Sequence, residues 1–160
     1  MIQYHLNKPD REITDPGELR RILKEGKFAT IALCRKDEPY IVSMNYGYDG
    51  AEQALYFHSA PQGLKLEFIR ENPRVCATII EDRGYRPGRC EHHYSSLVIA
   101  GTMTVLQELE EKKRAMRVLL SHLETDPEPI RQRNLSDDRV YQRVTLLKLS
   151  IEGMRGKNGK

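Results

Sequence analysis

Three runs with β character, Phe28–Arg35, residues 40–48 and Ala54–Ser59, follow one another with only four or five residues between them. A parallel crossover needs about a dozen residues or more, so these runs can only lie antiparallel, as a meander. Further runs at residues 74–81, 95–106 and 140–151 extend the pattern, with Gly101 placed for a bend or bulge. Between them the period changes to helical. Asp15-Pro16-Gly17-Glu18 supplies a cap and an initiating proline ahead of Leu19, Ile22 and Leu23, and Gly26 ends that helix. Residues 61–72 set Leu64 and Phe68 four apart before Asn72-Pro73 stops the turn. Residues 108–124 carry Met116, Leu119, Leu120 and Leu123 as one apolar stripe, which predicts a core-facing helix. Five to six antiparallel strands with a few outer helices predict a small, mainly β barrel.

The rest of the chain predicts irregular structure. Residues 82–93, with Gly84, Pro87 and Gly88, read as an ordered loop, and residues 125–138 as a polar connection. Residues 153–160 read as a basic, flexible tail, leaving a single domain over 1–160 with its core at about 11–153. Hydrophobic residues at 39% against 31% charged exclude a disordered chain. No apolar run reaches the roughly 18 residues of a membrane helix, and the start MIQYHLNKPD lacks a signal-peptide core, so the expected location is the cytoplasm. The net charge of +3, 26 basic against 23 acidic residues, is too small to argue for nucleic acid. Three cysteines, Cys34, Cys76 and Cys90, do not make a disulfide framework.

Chemistry concentrates in the stretch from Leu55 to Lys65, a strand that runs into a helix start. Unpaired backbone N–H groups there, with the Ser59 hydroxyl and the Lys65 ammonium, form a phosphate cradle that needs no Walker sequence. The same residues also suit a plain role, Ser59 as a helix cap and Lys65 in solvent. Cys90-x-His92-His93 with Cys76 lacks a Cys-x-x-Cys pair, and adjacent histidines diverge on an extended chain, so no metal site is expected.

The order and spacing of several motifs resemble the flavin-binding split barrels related to pyridoxamine 5'-phosphate oxidase, in particular their nitroimidazole-resistance (NimA-like) branch. The likeness covers about residues 11–153. It rests on the first helix with Phe28-Ala29-Thr30-Ile31-Ala32-Leu33, on Pro39-Tyr40-Ile41-Val42-Ser43-Met44-Asn45-Tyr46, on His58-Ser59-x-x-x-Gly63-x-Lys65-Leu66 ending in Asn72-Pro73, and on Tyr94-x-Ser96 before Gly101. The resemblance implies a six-stranded antiparallel split barrel that binds FMN as a homodimer. By position, Val42, Ser43, Met44 and Asn45 would line the flavin ring, Phe57 and His58 its ribityl side, and Ser59 and Lys65 its phosphate. Tyr94, Ser95 and Ser96 would arrive from the partner subunit, and His92 and His93 would lie in a loop at the groove with Tyr85 and Arg86. Plain core packing remains the other reading of Val42 and Met44.

Two departures bear on activity. The oxidases close their site with a carboxy-terminal tryptophan and arginine, whereas this chain has no tryptophan and runs Leu149-Ser150-Ile151-Glu152-Gly153-Met154-Arg155 there. Residues 40–46 also lack the family's arginine and lysine. The expectation is therefore an FMN oxidoreductase that uses NADH or NADPH on small aromatic, including nitro, compounds, with His58 as the catalytic residue and little oxidation of vitamin B6 phosphates. A non-catalytic flavin carrier or sensor on the same fold is the alternative, and haem held by His58 or His93 a third.

Overall fold

The computed structural model describes residues 7–159, so the reading of residues 1–6 and the Lys160 end of the expected tail lie outside it. A two-residue strand β1 (Glu12–Ile13) leads into α1 (Pro16–Glu25). The Asp15 carboxylate accepts from the Gly17 N–H at 2.9 Å, and Ile22 and Leu23 are buried, as the capping pattern predicts. β2 (Phe28–Arg35) turns Ala29, Ile31 and Leu33 inward and returns as β3 (Glu38–Asp49) through Lys36-Asp37, with Lys36 at φ 54°. β3 serves two neighbours in succession: residues 38–45 pair with β2, and residues 46–49 pair with β4 (Ala54–Ser59). The chain continues through α2 (Leu64–Glu71), β5 (Arg74–Arg86), β6 (Glu91–Val105), α3 (Leu109–Leu123), α4 (Glu128–Asn134), α5 (Asp138–Arg143) and β7 (Thr145–Gly159).

The strands run in the order β1-β7-β4-β3-β2-β5-β6, and a further β6–β7 pairing closes six of them into an antiparallel barrel. The six-stranded barrel is therefore present, with β1 added on β7 through Glu12↔Lys157 and Ile13↔Gly156. The register shifts between Ala100 and Gly101, and a Cβ on Gly101 would stand 2.0 Å from the Ser150 carbonyl oxygen, so the expected bulge has a steric basis.

Three sequence expectations need correction. The loop at 82–93 is a hairpin, since β5 and β6 pair out to Arg86↔Glu91 past an irregularity between Asp82 and Tyr85. The tail is not frayed: residues 154–159 are strand, because the first half of β6 offers a row of backbone groups that must pair, and Met154 to Gly159 supply the partners for Ile99 to Tyr94. The polar connection contains α4, and α5 takes residues 138–143, so the last strand begins at Thr145 rather than at Val140.

Two apolar layers hold the fold. Inside the barrel lie Ile31, Leu33, Tyr46, Phe57, Phe68, Ile79, Leu97 and Leu149. Outside β4 and β7, the helices α3 and α5 cover Ala54, Tyr56 and Leu146 with Ala115, Leu119 and Tyr141. Each fully buried large side chain contributes about 1.5 to 3 kcal/mol. Gly47 permits the second layer, since a Cβ there would stand 2.7 Å from the Leu119 backbone. Arg21 ties α1 to β5 with a paired contact to Glu81 at 3.0 and 2.9 Å.

Candidate functional site

β4 is buried on both faces except at His58, the one exposed residue of that strand. Inward-pointing Leu55, Phe57 and Ser59 meet the barrel interior, outward-pointing Ala54 and Tyr56 meet α3, and His58 emerges where that helix stops covering the strand. A groove of about 420 Å³ opens there, lined by His58, by Ser43, Met44 and Asn45 of β3, and by Met116, Leu119, Leu120 and Leu123 of α3. That volume lies in the usual range for small-ligand sites. Two hollows of comparable size, lined around Arg117 by Lys113 and Arg131 or by Asp49 and Gly50, offer mainly charged helix surface instead.

Strand alternation decides what each expected residue can do. Val42 and Met44 are half-buried and pack against the core, whereas Ser43 and Asn45 face outward. Ser43 meets Thr30 across the strands at 2.9 Å, and the Asn45 amide donates to the Lys27 carbonyl oxygen at 3.0 Å, so both polar groups are fixed on that face. Phe57 belongs to the interior, fully buried with its ring 6.4 Å from Tyr46, which removes its side chain from the groove.

From His58 the chain passes over Ser59-Ala60-Pro61-Gln62-Gly63 into α2. Ser59 is 4% exposed and donates to the Ala60 carbonyl oxygen at 3.0 Å, so its hydroxyl braces the loop. Gly63 caps α2 at φ 137°, with nothing within 4 Å of where a Cβ would stand, and the Leu66 N–H makes the first bond of the helix back to Gly63. The N–H groups of Leu64 and Lys65 therefore precede that ladder at the positive end of the helix. Lys65 is half-exposed and makes no ion pair among the described residues. A cation, free backbone donors and open space together suit a phosphate.

The far wall was hidden in the sequence. The stripe on α3 reads as core, yet Leu120 and Leu123 are only half-buried and spill over into the groove. His122 fastens that end of α3: its Nε2 donates to the Gly26 carbonyl oxygen at 2.6 Å and its Nδ1 accepts from Tyr48 N–H at 3.4 Å. Burial is the main cause that lowers its pKa, which keeps this two-sided contact neutral.

Tyr94, Ser95 and Ser96 lie apart from this groove, on β6, where Ser95 is buried and donates to the Asn158 side chain at 2.8 Å. A shared outward surface links the two places. Asn45 pairs with Phe28, Ser43 with Thr30, Thr30 with Thr78, Thr78 with Val98 and Ile80 with Ser96. This face carries Phe28, Ile41 and Ile80 at 57%, 65% and 56% exposure.

The sequence profile of a family described as pyridoxamine 5'-phosphate oxidase matches residues 15–157. A candidate 5-nitroimidazole antibiotic resistance protein from Bacteroides thetaiotaomicron VPI-5482 superposes with a TM-score of 0.78 at 25% identity, over 92% of this chain and 86% of that one. An FAD and haem binding protein from Mycobacterium smegmatis shares the fold, with a TM-score of 0.73 at 20% identity over 94% of this chain and 74% of its own. An uncharacterized protein of Rhizobium meliloti (strain 1021) is 34% identical over 84 residues, 52% of this chain and half the length of that relative. No helix among the described residues is long and apolar enough to cross a membrane. With the closed six-stranded barrel in place and the profile spanning nearly all of it, the chain belongs to the pyridoxamine 5'-phosphate oxidase family.

Proposed function

We propose that this protein is an FMN-dependent oxidoreductase that works as a homodimer and reduces small aromatic compounds, nitroaromatics among them, with NADH or NADPH as electron donor. The observation that carries the reading is closeness along the chain: only residues 59–63 separate His58, which lines an apolar groove, from the phosphate-suited start of α2. Lys65 and the N–H groups of Leu64 and Lys65 hold the phosphate, and Ser59 keeps the loop between them in shape. The outward edge of β3, with Ser43 and Asn45, takes the ring. When bound, the flavin supplies the two-electron chemistry between donor and substrate. Met116, Leu120 and Leu123 exclude water and favour an uncharged aromatic, and the exposed His58 imidazole offers it a hydrogen bond or a proton.

One chain leaves this surface open, and a ligand of FMN size needs most of its area covered. The bare face with Phe28, Ile41 and Ile80 supports pairing with a second copy. Tyr94 and Ser96 of that copy then close the groove, with the buried Ser95 holding the strand between them. With no tryptophan in the chain, the carboxy-terminal strand lacks the tryptophan with which the oxidases close their site, and vitamin B6 phosphates are expected to be poor substrates.

An imidazole facing an apolar groove is also a pattern that suits a haem ligand, and this favours haem as the second reading. The absorbance of the purified protein separates the two, because the first predicts a flavin spectrum. Lys65→Ala should weaken FMN binding about tenfold or more, the loss of a charge-assisted contact of about 1.5 to 3 kcal/mol. His58→Ala should retain FMN and slow nitroaromatic reduction. Unchanged FMN affinity in Lys65→Ala would refute the phosphate placement, and flavin binding without consumption of NADH or NADPH would make the protein a carrier.

A further inference from the structure

Apart from Tyr94 at its base, the hairpin formed by the ends of β5 and β6 takes no part in the proposed reaction. Residues 82–86 pair only with β6, and β7 joins β6 only from Tyr94 onward, so the hairpin projects beyond the barrel as a two-stranded arm. A two-stranded ribbon is marginal by itself. This one is stiffened along its outward face, where Tyr85 and His92 rings meet edge-on at 6.1 Å, and His92 and Tyr94 do the same at 6.1 Å. Asp82 holds the middle ring through His92 Nε2 at 2.7 Å. At the base, the Tyr94 ring lies over Gly159, where a Cβ would stand 2.1 Å from it, and the Lys157 ammonium sits 5.8 Å from the ring centroid. At the tip, Tyr85 is 55% exposed and leaves a ring face open.

The arm is also cationic at its end. Arg86 is the last residue of β5, and Arg89 stands in the turn with its N–H bonded to the Arg86 carbonyl oxygen at 3.3 Å. Both are exposed, and neither guanidinium has a carboxylate partner among the described residues. An open tyrosine face beside two unpaired guanidinium groups combines a stacking surface for a heteroaromatic base with donors for its phosphate.

We propose that this arm binds an adenosine phosphate, the half that reduced nicotinamide dinucleotides share with FAD. The proposal rests on the oxidoreductase reading for why a dinucleotide should reach the groove. Tyr94 belongs both to the arm and to the segment that closes the partner's groove. Three residue steps along the strand, about 10 Å, separate Tyr94 from Glu91 near the tip. A dinucleotide extended along the arm can thus keep its redox end at the groove while its adenosine end reaches Tyr85, Arg86 and Arg89.

The test is calorimetric titration of the purified full-length protein with 5'-AMP and 2',5'-ADP. The expected result is saturable binding, weakened about tenfold in the double variant Arg86→Ala, Arg89→Ala and about threefold in Tyr85→Ala, with dimer mass unchanged. A Lys24→Ala control should bind as the unaltered protein does. The flavin released on denaturation identifies the source. Release of FMN, with a raised KM for NADPH in the double variant, assigns the arm to the electron donor. Release of FAD, with its retention reduced in the double variant, assigns it to the cofactor. No saturable binding, or equal binding in all variants, would overturn the proposal. Because AMP binding needs no flavin, saturable binding to a flavin-free protein would support the arm and refute only the oxidoreductase reading.

Discussion

Two outward faces of the same barrel meet different fates. Over β4 and the first half of β7, α3 and α5 cover Tyr56 and Leu146 so fully that four successive residues of β4 are buried. Over β2, the first half of β3, β5 and β6, nothing among the described residues covers Phe28, Ile41 and Ile80. Strands of similar composition therefore differ in what they lack. One face is completed within the chain, and the other is the face on which we propose that a second copy sits. His58 and the groove lie at the border between them, where the covering helix runs out.

A charge placed on each face separates these roles most sharply. Leu146→Asp puts an unpaired carboxylate under α3 in a fully buried position, and should cost more than about 4 kcal/mol, seen as loss of cooperative thermal unfolding. Ile80→Lys, on the bare face, should leave the stability of the single chain within about 0.5 kcal/mol while abolishing the dimer in light scattering and, with it, FMN retention. Equal unfolding in both variants would mean that the bare face is held from within the chain.

The covered face should also depend on pH through His122, an effect smaller than either substitution. Its folded pKa lies below the ordinary 6.5, so the unfolded chain binds the proton more readily. Stability is then complete above about pH 6.5 and declines as pH falls from there toward the folded value. His122→Gln should flatten this slope between pH 7.5 and 5.5 in thermal melts, because an amide can still donate to the Gly26 carbonyl oxygen without titrating. A slope unchanged in the variant would assign it to other groups.

The same contrast explains how far the sequence could be read. Alternation revealed β2 and β3 because one of their faces is open, and short connections fixed their antiparallel order. β4 shows no alternation, being buried on both sides, and its one exposed residue was legible only as part of the His58 to Lys65 motif. The end of the chain looked like a tail because glycine and lysine dominate it. Gly156 and Gly159 are there because Leu19 and Tyr94 occupy the space that side chains would fill, a contact no local pattern discloses. The α3 wall escaped for a related reason: a stripe facing a groove and a stripe facing a core have the same period.

The central claim is that flavin binding and pairing of the bare faces are one event. Light scattering joined to flavin absorbance on a single size-exclusion run, at micromolar protein, measures both together. The account predicts a dimer carrying one FMN per chain, and flavin-free monomer for Ile80→Lys; a monomer that still holds FMN would contradict it.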